Sequence, residues 1–301
     1  MRTVGSLAPA SFASLLAAEG LGVRIGPFDF HVRARVSGLA QPLQDLYRDY
    51  PLLDRERVFS AHVAMRETWR LRGGRRVRFS VDGRTPHDDM PRGQALAVLE
   101  WGLNLVVALR FHGFLMLHAA AVERNGRALL LPAAPGHGKT TLCAALAHRG
   151  WRLLSDEFGL LRPGSPDIVP VPRPMPLKNE SIAVMRAFVP EARLGPTITG
   201  TIKGTVAHLP APAASVARAA EEAPVAWVVF PRWEAGARLA LEPIGAAEAF
   251  LAIASNAFNY ETLGEPAFDT VRRITEGARC YRLVYADLDE AVAALDALAG
   301  G

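Results

Sequence analysis

The chain has 301 residues, half of them apolar and 21% charged, with 34 Lys+Arg against 30 Asp+Glu and a formal charge of +4. That length suits one large domain or two ordinary ones, and the composition describes a soluble globular protein without long disordered tracts. So small an excess of charge gives no ground to expect nucleic acid as a partner, although it favours anionic ligands. Cys143 and Cys280 have no metal-ligand spacing and form no disulfide framework, so a reducing, cytoplasmic setting is expected. The most apolar region, 95–122, is interrupted by Glu100, Arg110 and His112, and no apolar core with a cleavage site follows the N-terminus. Neither a membrane segment nor a secretory leader is expected.

In chain order, the first ninety residues read as a small α+β module. Residues 23–36 predict two short strands about Gly26-Pro27. Residues 58–71 and 75–81 predict a hairpin turned by Gly73-Gly74. On that hairpin Arg66, Arg70, Arg72, Arg76 and Arg78 share one face if the turn keeps register. A solvated sheet edge explains such a face, and so does a docking surface for an acidic acceptor. The domain boundary is placed in the loop at Asp89, giving a module at 1–89 and a larger domain at 90–301. Leu96, Leu99, Leu103, Val106 and Val107 then carry a helical period through 92–110. Strands are predicted at 114–123 and 127–131, joined by Arg124-Asn125-Gly126 as a tight turn. A helix is predicted at 139–148, with Gly150 at the left-handed position beyond its end. Residues 151–155 predict a strand ending at Asp156-Glu157. Six prolines between Pro163 and Pro176 predict an extended or irregular segment. Strands are expected at 197–209, 225–230 and 282–286, with helices at 246–257 and 288–298.

Ala133-Ala134-Pro135-Gly136-His137-Gly138-Lys139-Thr140 follows the pattern G-x-x-x-x-G-K-[ST] except at its first position, where Ala133 stands. Gly136 and Gly138 allow a tight turn that aims successive backbone N–H groups inward at a helix N-terminus, an anion nest. Lys139 is then placed for the β- and γ-phosphates of ATP, and the Thr140 hydroxyl for Mg²⁺. The candidate nucleotide-binding stretch is Ala134-Pro135-Gly136-His137-Gly138-Lys139-Thr140-Thr141, in which Pro135 offers no N–H. A glycine-rich turn that merely opens a helix shares part of this pattern. Asp156-Glu157 closes the strand after the predicted helix, 17 residues beyond Lys139. A carboxylate there can hold Mg²⁺ or accept the proton of an attacking hydroxyl; a charged turn is the plainer alternative. His118 stands inside an apolar strand, as a satisfied core residue or as part of a site.

Leu117-His118-Ala119, Gly126-Arg127-Ala128-Leu129-Leu130, the stretch from Pro135 to Leu142, and Arg149-Gly150-Trp151-Arg152-Leu153-Leu154-Ser155-Asp156-Glu157 together resemble the C-terminal domain of the HPr serine kinase/phosphorylase family. The match covers roughly 113–161, and the chain as a whole looks most like the HPr-kinase-related kinases, which resemble lasso-peptide precursor kinases. The resemblance implies a phosphoenolpyruvate-carboxykinase-like P-loop fold with a mixed sheet. It implies Lys139 and Thr140 as phosphate and Mg²⁺ residues, Asp156 as general base, Glu157 as a metal ligand and His118 as an active-site histidine. The family's later E-[VI]-R-G-x-G-I signature is absent between Arg162 and Gly204, which removes the ground for a phosphorylase reaction and for HPr as substrate. Lys178 and Lys203 are candidate phosphate clamps there, with Arg173 a weaker one. The activity expected is transfer of the γ-phosphoryl group of ATP to a serine or threonine hydroxyl of a peptide or small protein, with neighbouring genes the first place to look for it. Free serine or another small metabolite is the alternative acceptor, and a nucleotide-binding regulator without catalysis is a further alternative. A homo-oligomer is left open.

Overall fold

The computed structural model describes residues 2–71 and 74–300. Arg72 and Gly73, part of the predicted turn and arginine face, lie outside the described residues. The fold is mixed α/β. Helix α1 (Pro9–Ala18) precedes β1 (Leu21–Ile25) and β2 (Phe28–Arg35). Helix α2 (Ala40–Leu46), β3 (Leu52–Leu53), β4 (Ala61–Arg70), β5 (Gly74–Val81) and β6 (Met90–Pro91) follow. These six strands form one sheet in the order β3-β1-β2-β4-β5-β6, in which only β2 and β4 run parallel. The alternation along β2, buried at Phe28, Phe30, Val32 and Ala34, gives the sheet one inward face. Helix α3 (Ala95–Arg110) lies against that face, and Gly102 comes so close to the Phe79 ring of β5 that a Cβ would overlap it.

Arg66 pairs with Arg78 and Thr68 with Arg76 across β4 and β5, so Arg66, Arg70, Arg76 and Arg78 share the outward face. Two of the four are engaged internally. Arg78 donates to both carboxylate oxygens of Asp89 at 2.7 and 3.0 Å, and Arg76 donates to its backbone carbonyl. Covered by these guanidinium groups, Asp89 is held down at about 2, first by its hydrogen bond with Arg78.

The second sheet carries the rest of the chain. Its strands are β7 (Leu115–Arg124), β8 (Arg127–Pro132), then, after helix α4 (Lys139–His148), β9 (Arg152–Ser155), β10 (Phe158–Leu161) and β11 (Asp167–Val169). A small three-stranded sheet intervenes: β12 (Met175–Lys178), helix α5 (Glu180–Phe188), β13 (Ile198–Thr201) and β14 (Gly204–Leu209). Helix α6 (Ala213–Ala217), β15 (Ala223–Trp233), β16 (Ala240–Pro243), helices α7 (Ala246–Ser255), α8 (Tyr260–Leu263) and α9 (Glu265–Gly277), β17 (Arg279–Tyr285) and helix α10 (Leu288–Gly300) complete the chain. The large sheet runs β11-β10-β7-β8-β15-β17-β16, with β9 also paired to β7. Its β8, β15 and β17 are mutually parallel, and the other pairings are antiparallel.

The sheet is covered on both faces, which explains why β7 and β8 are almost wholly apolar. Met116, Ala120 and Val122 enter the core shared with α4 and the N-terminal sheet. Leu115, Leu117, Ala119 and Ala121 enter the core built with α7 and α9. The two-residue alternation puts His118 on the α4 side. The hairpin between β7 and β8 turns at Asn125 and Gly126, both at positive φ. The expected single strand at 197–209 is instead a hairpin of β13 and β14. Gly200 and Gly204, both at positive φ, break it and set Lys203 at its tip. Among the described residues no helix is long and apolar enough to cross a membrane.

Gly102→Ala separates propensity from packing. On propensity alone alanine would stabilise an interior helical position by ~1 kcal/mol. Overlap with Phe79 is expected to reverse the sign and destabilise by ~1–3 kcal/mol in urea unfolding, with Gly102→Ala costing much less when made in a Phe79→Leu background.

Candidate active site

The loop 133–138 leaves the end of β8 and enters α4 at Gly138, the helix's N-cap residue, at φ 82° and ψ 4°. Gly136, at φ 89°, has open space where a Cβ would stand, so a ligand can approach its backbone. At Gly138 a Cβ would meet the Tyr285 hydroxyl at 2.5 Å. The Tyr285 hydroxyl donates to the Gly138 carbonyl at 3.2 Å, and the Trp233 N–H donates to the His137 carbonyl at 3.1 Å. Trp233 and Tyr285 are register partners at the ends of β15 and β17. The loop is therefore braced by the two parallel strands beside the one that leads into it, in the crevice beyond the sheet's carboxyl ends.

Lys139 opens the helix with its ammonium nitrogen buried and without a hydrogen-bond partner. Behind it lies Asp156, in the bend between β9 and β10, with both carboxylate oxygens buried and neither accepting a well-formed hydrogen bond. No salt bridge joins the two. Burial pushes the Asp156 carboxyl up to about 7, and the Glu157 charge adds to the shift; Lys139 and the nearby Thr140 hydroxyl oppose it. Burial also lowers the Lys139 pKa, against the pull of Asp156 and Glu157. Buried polar groups are almost always satisfied, so two orphaned ionisable side chains at a helix N-terminus mark a place shaped for something else.

A cleft of ≈ 540 Å³ opens over this loop. Ala134, Pro135, Gly136, Gly138, Thr140 and Thr141 form one wall with Lys139. His118 and Glu157 line it from β7 and the β9–β10 bend, and Lys178 and Lys203 come from the small sheet. His137 turns its backbone to Trp233 and is not part of this wall. Burial and then Lys139 hold the His118 pKa below its ordinary value, against the pull of Glu157. Apart from His137, the structure brings the sequence-predicted residues of the loop together with His118, and it separates the acidic pair: Glu157 lines the cleft, whereas Asp156 is buried and does not. Arg173 is committed elsewhere. Its guanidinium donates to the Glu100 carboxylate at 2.7 Å, and Glu100 also accepts from the Tyr47 hydroxyl at 2.7 Å. That buried network ties α2, α3 and the segment before β12 together and leaves no cation for a phosphate.

A wider recess of ≈ 870 Å³ adjoins the same glycines, walled by Val184 and Phe188 of α5 and by Trp233, with Asp287 at its edge. Sequence reasoning misses this part because α5 is hidden behind the proline-rich run. The signal available was Asn179-Glu180-Ser181, an acidic first turn after a cap-forming residue. Among the described residues no group of three or more His, Cys, Asp or Glu side chains is placed to hold a metal ion. Two residues such as Thr140 and Glu157 could hold Mg²⁺ only in its usual nucleotide-bound form, in which phosphate oxygens and water would supply most of the ligands.

No protein-family model matches the chain, and no curated protein matches it. Among solved structures, the HPr(Ser) kinase/phosphatase from Coxiella burnetii aligns with 61% of this chain and 96% of its own, at 12% identity and a TM-score of 0.24. That likeness is too slight to carry an argument.

The orphaned carboxyl has a consequence for stability. Because the Asp156 pKa is about 7 in the folded chain and near 3.8 when unfolded, the folded state binds more protons between those values. Wild-type stability should therefore fall as pH rises from about 4 to about 7 through this group. Asp156→Asn removes the effect and is expected to melt higher than wild type at pH 8, by ~1–3 kcal/mol, with the difference vanishing near pH 4. A variant that melts lower at both pH values would show that the carboxylate is held by stabilising partners.

Proposed function

We propose that the chain is an ATP-dependent kinase of a phosphoenolpyruvate-carboxykinase-like P-loop fold, which transfers the γ-phosphoryl group to a serine or threonine hydroxyl of a peptide or small protein. The observation that carries this reading is the pair of buried, unpartnered groups, Lys139 and Asp156, at the mouth of a glycine-built anion nest. Lys139 would give its ammonium to the β- and γ-phosphate oxygens, and the backbone N–H groups around Gly136 and Gly138 would take the rest of the charge. The recess walled by Val184, Phe188 and Trp233 suits a nucleobase, which needs apolar and aromatic faces. The Thr140 hydroxyl and Glu157 would hold Mg²⁺, which when bound would supply charge neutralisation at the phosphates.

In the transfer step the acceptor oxygen forms a bond to the γ-phosphorus while the bond from phosphorus to the β,γ-bridging oxygen breaks. The electron pair leaves with ADP, and the hydroxyl proton passes to Asp156. A carboxyl near 7 is a far better proton acceptor at neutral pH than an ordinary aspartate, which is the use of its burial. Because Asp156 is buried and does not line the cleft, it would act once phosphate draws Lys139 toward the cleft. Exposed Arg66 and Arg70, the arginines of the outward face that among the described residues do not bind Asp89, support an acidic protein or peptide as acceptor over a small metabolite.

Two variants test the reading. Lys139→Ala should abolish Mg·ATP binding measured by calorimetry, with the native circular-dichroism spectrum retained. Asp156→Asn should keep ATP binding while transfer from [γ-³²P]ATP to candidate acceptor peptides falls ~10²–10⁴-fold. Unchanged ATP affinity in Lys139→Ala overturns the nucleotide site. If Glu157→Gln loses turnover and Asp156→Asn does not, the base is Glu157.

A further inference from the structure

Arginine supplies nearly all the positive charge of this chain. Of its 34 cationic Lys and Arg side chains only three are lysines: Lys139, Lys178 and Lys203. They are 39 and 25 residues apart in sequence, yet all three line the one cleft above the phosphate nest. Everywhere else, from sheet edge to helix surface, the chain uses arginine, and every ion pair formed among the described residues through a Lys or Arg side chain uses arginine. A compact ammonium on a flexible stem differs from a planar guanidinium in giving a point charge that can follow an oxyanion through a change of geometry. Three such groups in one cleft repel each other, and Glu157 is the carboxylate in its wall.

The two lysines outside the nest are held in place by an unusual piece of backbone. Lys178 ends β12, and the next residue, Asn179, sits at φ 51° and ψ −122°, a conformation that a non-glycine residue adopts only under constraint. The constraint comes from the turn that carries Lys203. The Asn179 N–H donates to the Thr205 carbonyl at 2.9 Å, and the Thr205 N–H donates to the Asn179 side-chain oxygen at 3.0 Å. Gly204, at φ 82°, presses on that same oxygen so closely that no Cβ could be accommodated. The Lys203 N–H donates to the Thr201 hydroxyl at 3.0 Å, which in turn donates to the Gly204 carbonyl at 2.7 Å, closing the turn. On the other side the Lys178 N–H donates to the Ser181 hydroxyl at 2.7 Å. Strain of this kind persists where the surroundings over-determine it, commonly at ligand clamps. Here it staples the Lys178 strand end to the Lys203 hairpin tip, so that the two ammonium groups enter the cleft as a preset pair. The Lys203 ammonium also lies 5.3 Å from the centroid of the Trp101 ring on α3.

We propose that Lys178 and Lys203 are a phosphoryl clamp that, with Lys139, encloses the terminal phosphoryl group of a triphosphate. The proposal rests on the kinase reading for its ligand. The clamp lies on the small sheet, apart from the glycine loop, so it engages the end of the phosphate chain that projects into the cleft and not the part cradled by the loop. It therefore distinguishes ATP from ADP.

The test is calorimetry with ADP, ATP and inorganic tripolyphosphate, each with Mg²⁺, on wild type, Lys178→Met, Lys203→Met and Lys203→Arg. Loss of one charge-assisted contact corresponds to ~10–100-fold in affinity. Each Met variant is expected to lose that much for ATP and tripolyphosphate and less than ~3-fold for ADP, with Lys203→Arg recovering binding but not the full rate of transfer. Wild-type affinity for ATP and tripolyphosphate in both Met variants, or equal losses for ADP and ATP, overturns the clamp. If Lys139→Met loses all three ligands while the Met variants at 178 and 203 keep them, the nucleotide site stands and the clamp falls. If wild type binds tripolyphosphate through the three lysines and phosphorylates no hydroxyl acceptor, the clamp stands and the kinase reading falls.

Discussion

A lysine and an aspartate buried side by side without a shared hydrogen bond are the constraint on which this structure depends. Leaving ionisable groups dry and unpaired opposes folding, and the molecule offsets that penalty with two apolar cores, one on each face of the central sheet. The strand preceding the loop is fixed by β7 and β15 on its two sides, and the loop by the ends of β15 and β17. Nothing in that bracing satisfies Lys139 or Asp156, although Tyr285 and Trp233 satisfy carbonyl groups only a residue or two away. Rigid backbone around unsatisfied charge is the arrangement expected of a preorganised site, in which stability is given up locally for readiness toward a ligand.

The N-terminal sheet is joined to this site through polar contacts as well as packing. Tyr47 on the turn after α2, Glu100 on α3 and Arg173 before β12 form one buried chain, and the Tyr50 hydroxyl donates to the Pro172 carbonyl at 3.0 Å. Further on, the Gln94 side chain donates to the Gly200 carbonyl at 2.8 Å, which fixes the hairpin that carries Lys203. The small sheet therefore takes its position from the N-terminal half, while the glycine loop takes its own from the C-terminal strands. The cleft lies where the two supports meet.

Much of this arrangement was legible in the residues. Helix α4 begins and ends where the sequence places it, because Gly138 and Gly150 adopt the left-handed conformations that their positions required. The β7–β8 hairpin follows from Asn125-Gly126 in the same way. Other elements were hidden by specific physics. β10 is four apolar residues directly after an acidic pair, too short to announce itself, and it pairs with β7 from far away in sequence. Helix α9 begins at Glu265-Pro266, a good start signal, but its apolar face of Ala267, Val271 and Ile274 is narrow and lies in an otherwise polar stretch. The fate of Arg173 could not be read at all, since Glu100 lies 73 residues earlier. Nor could spacing tell Asp156 from Glu157: adjacent residues in a bend point different ways, and only the structure sets one in the cleft lining and buries the other.

The most direct measurement of the central claim is a crystal structure with Mg²⁺ and a non-hydrolysable ATP analogue. The account predicts the triphosphate wrapped by residues 134–140, with the Lys139 ammonium moved off its buried position onto the β- and γ-phosphate oxygens and the base in the recess beside Phe188 and Trp233. A nucleotide bound elsewhere, or one bound here while Lys139 stays buried and unpartnered, would contradict it.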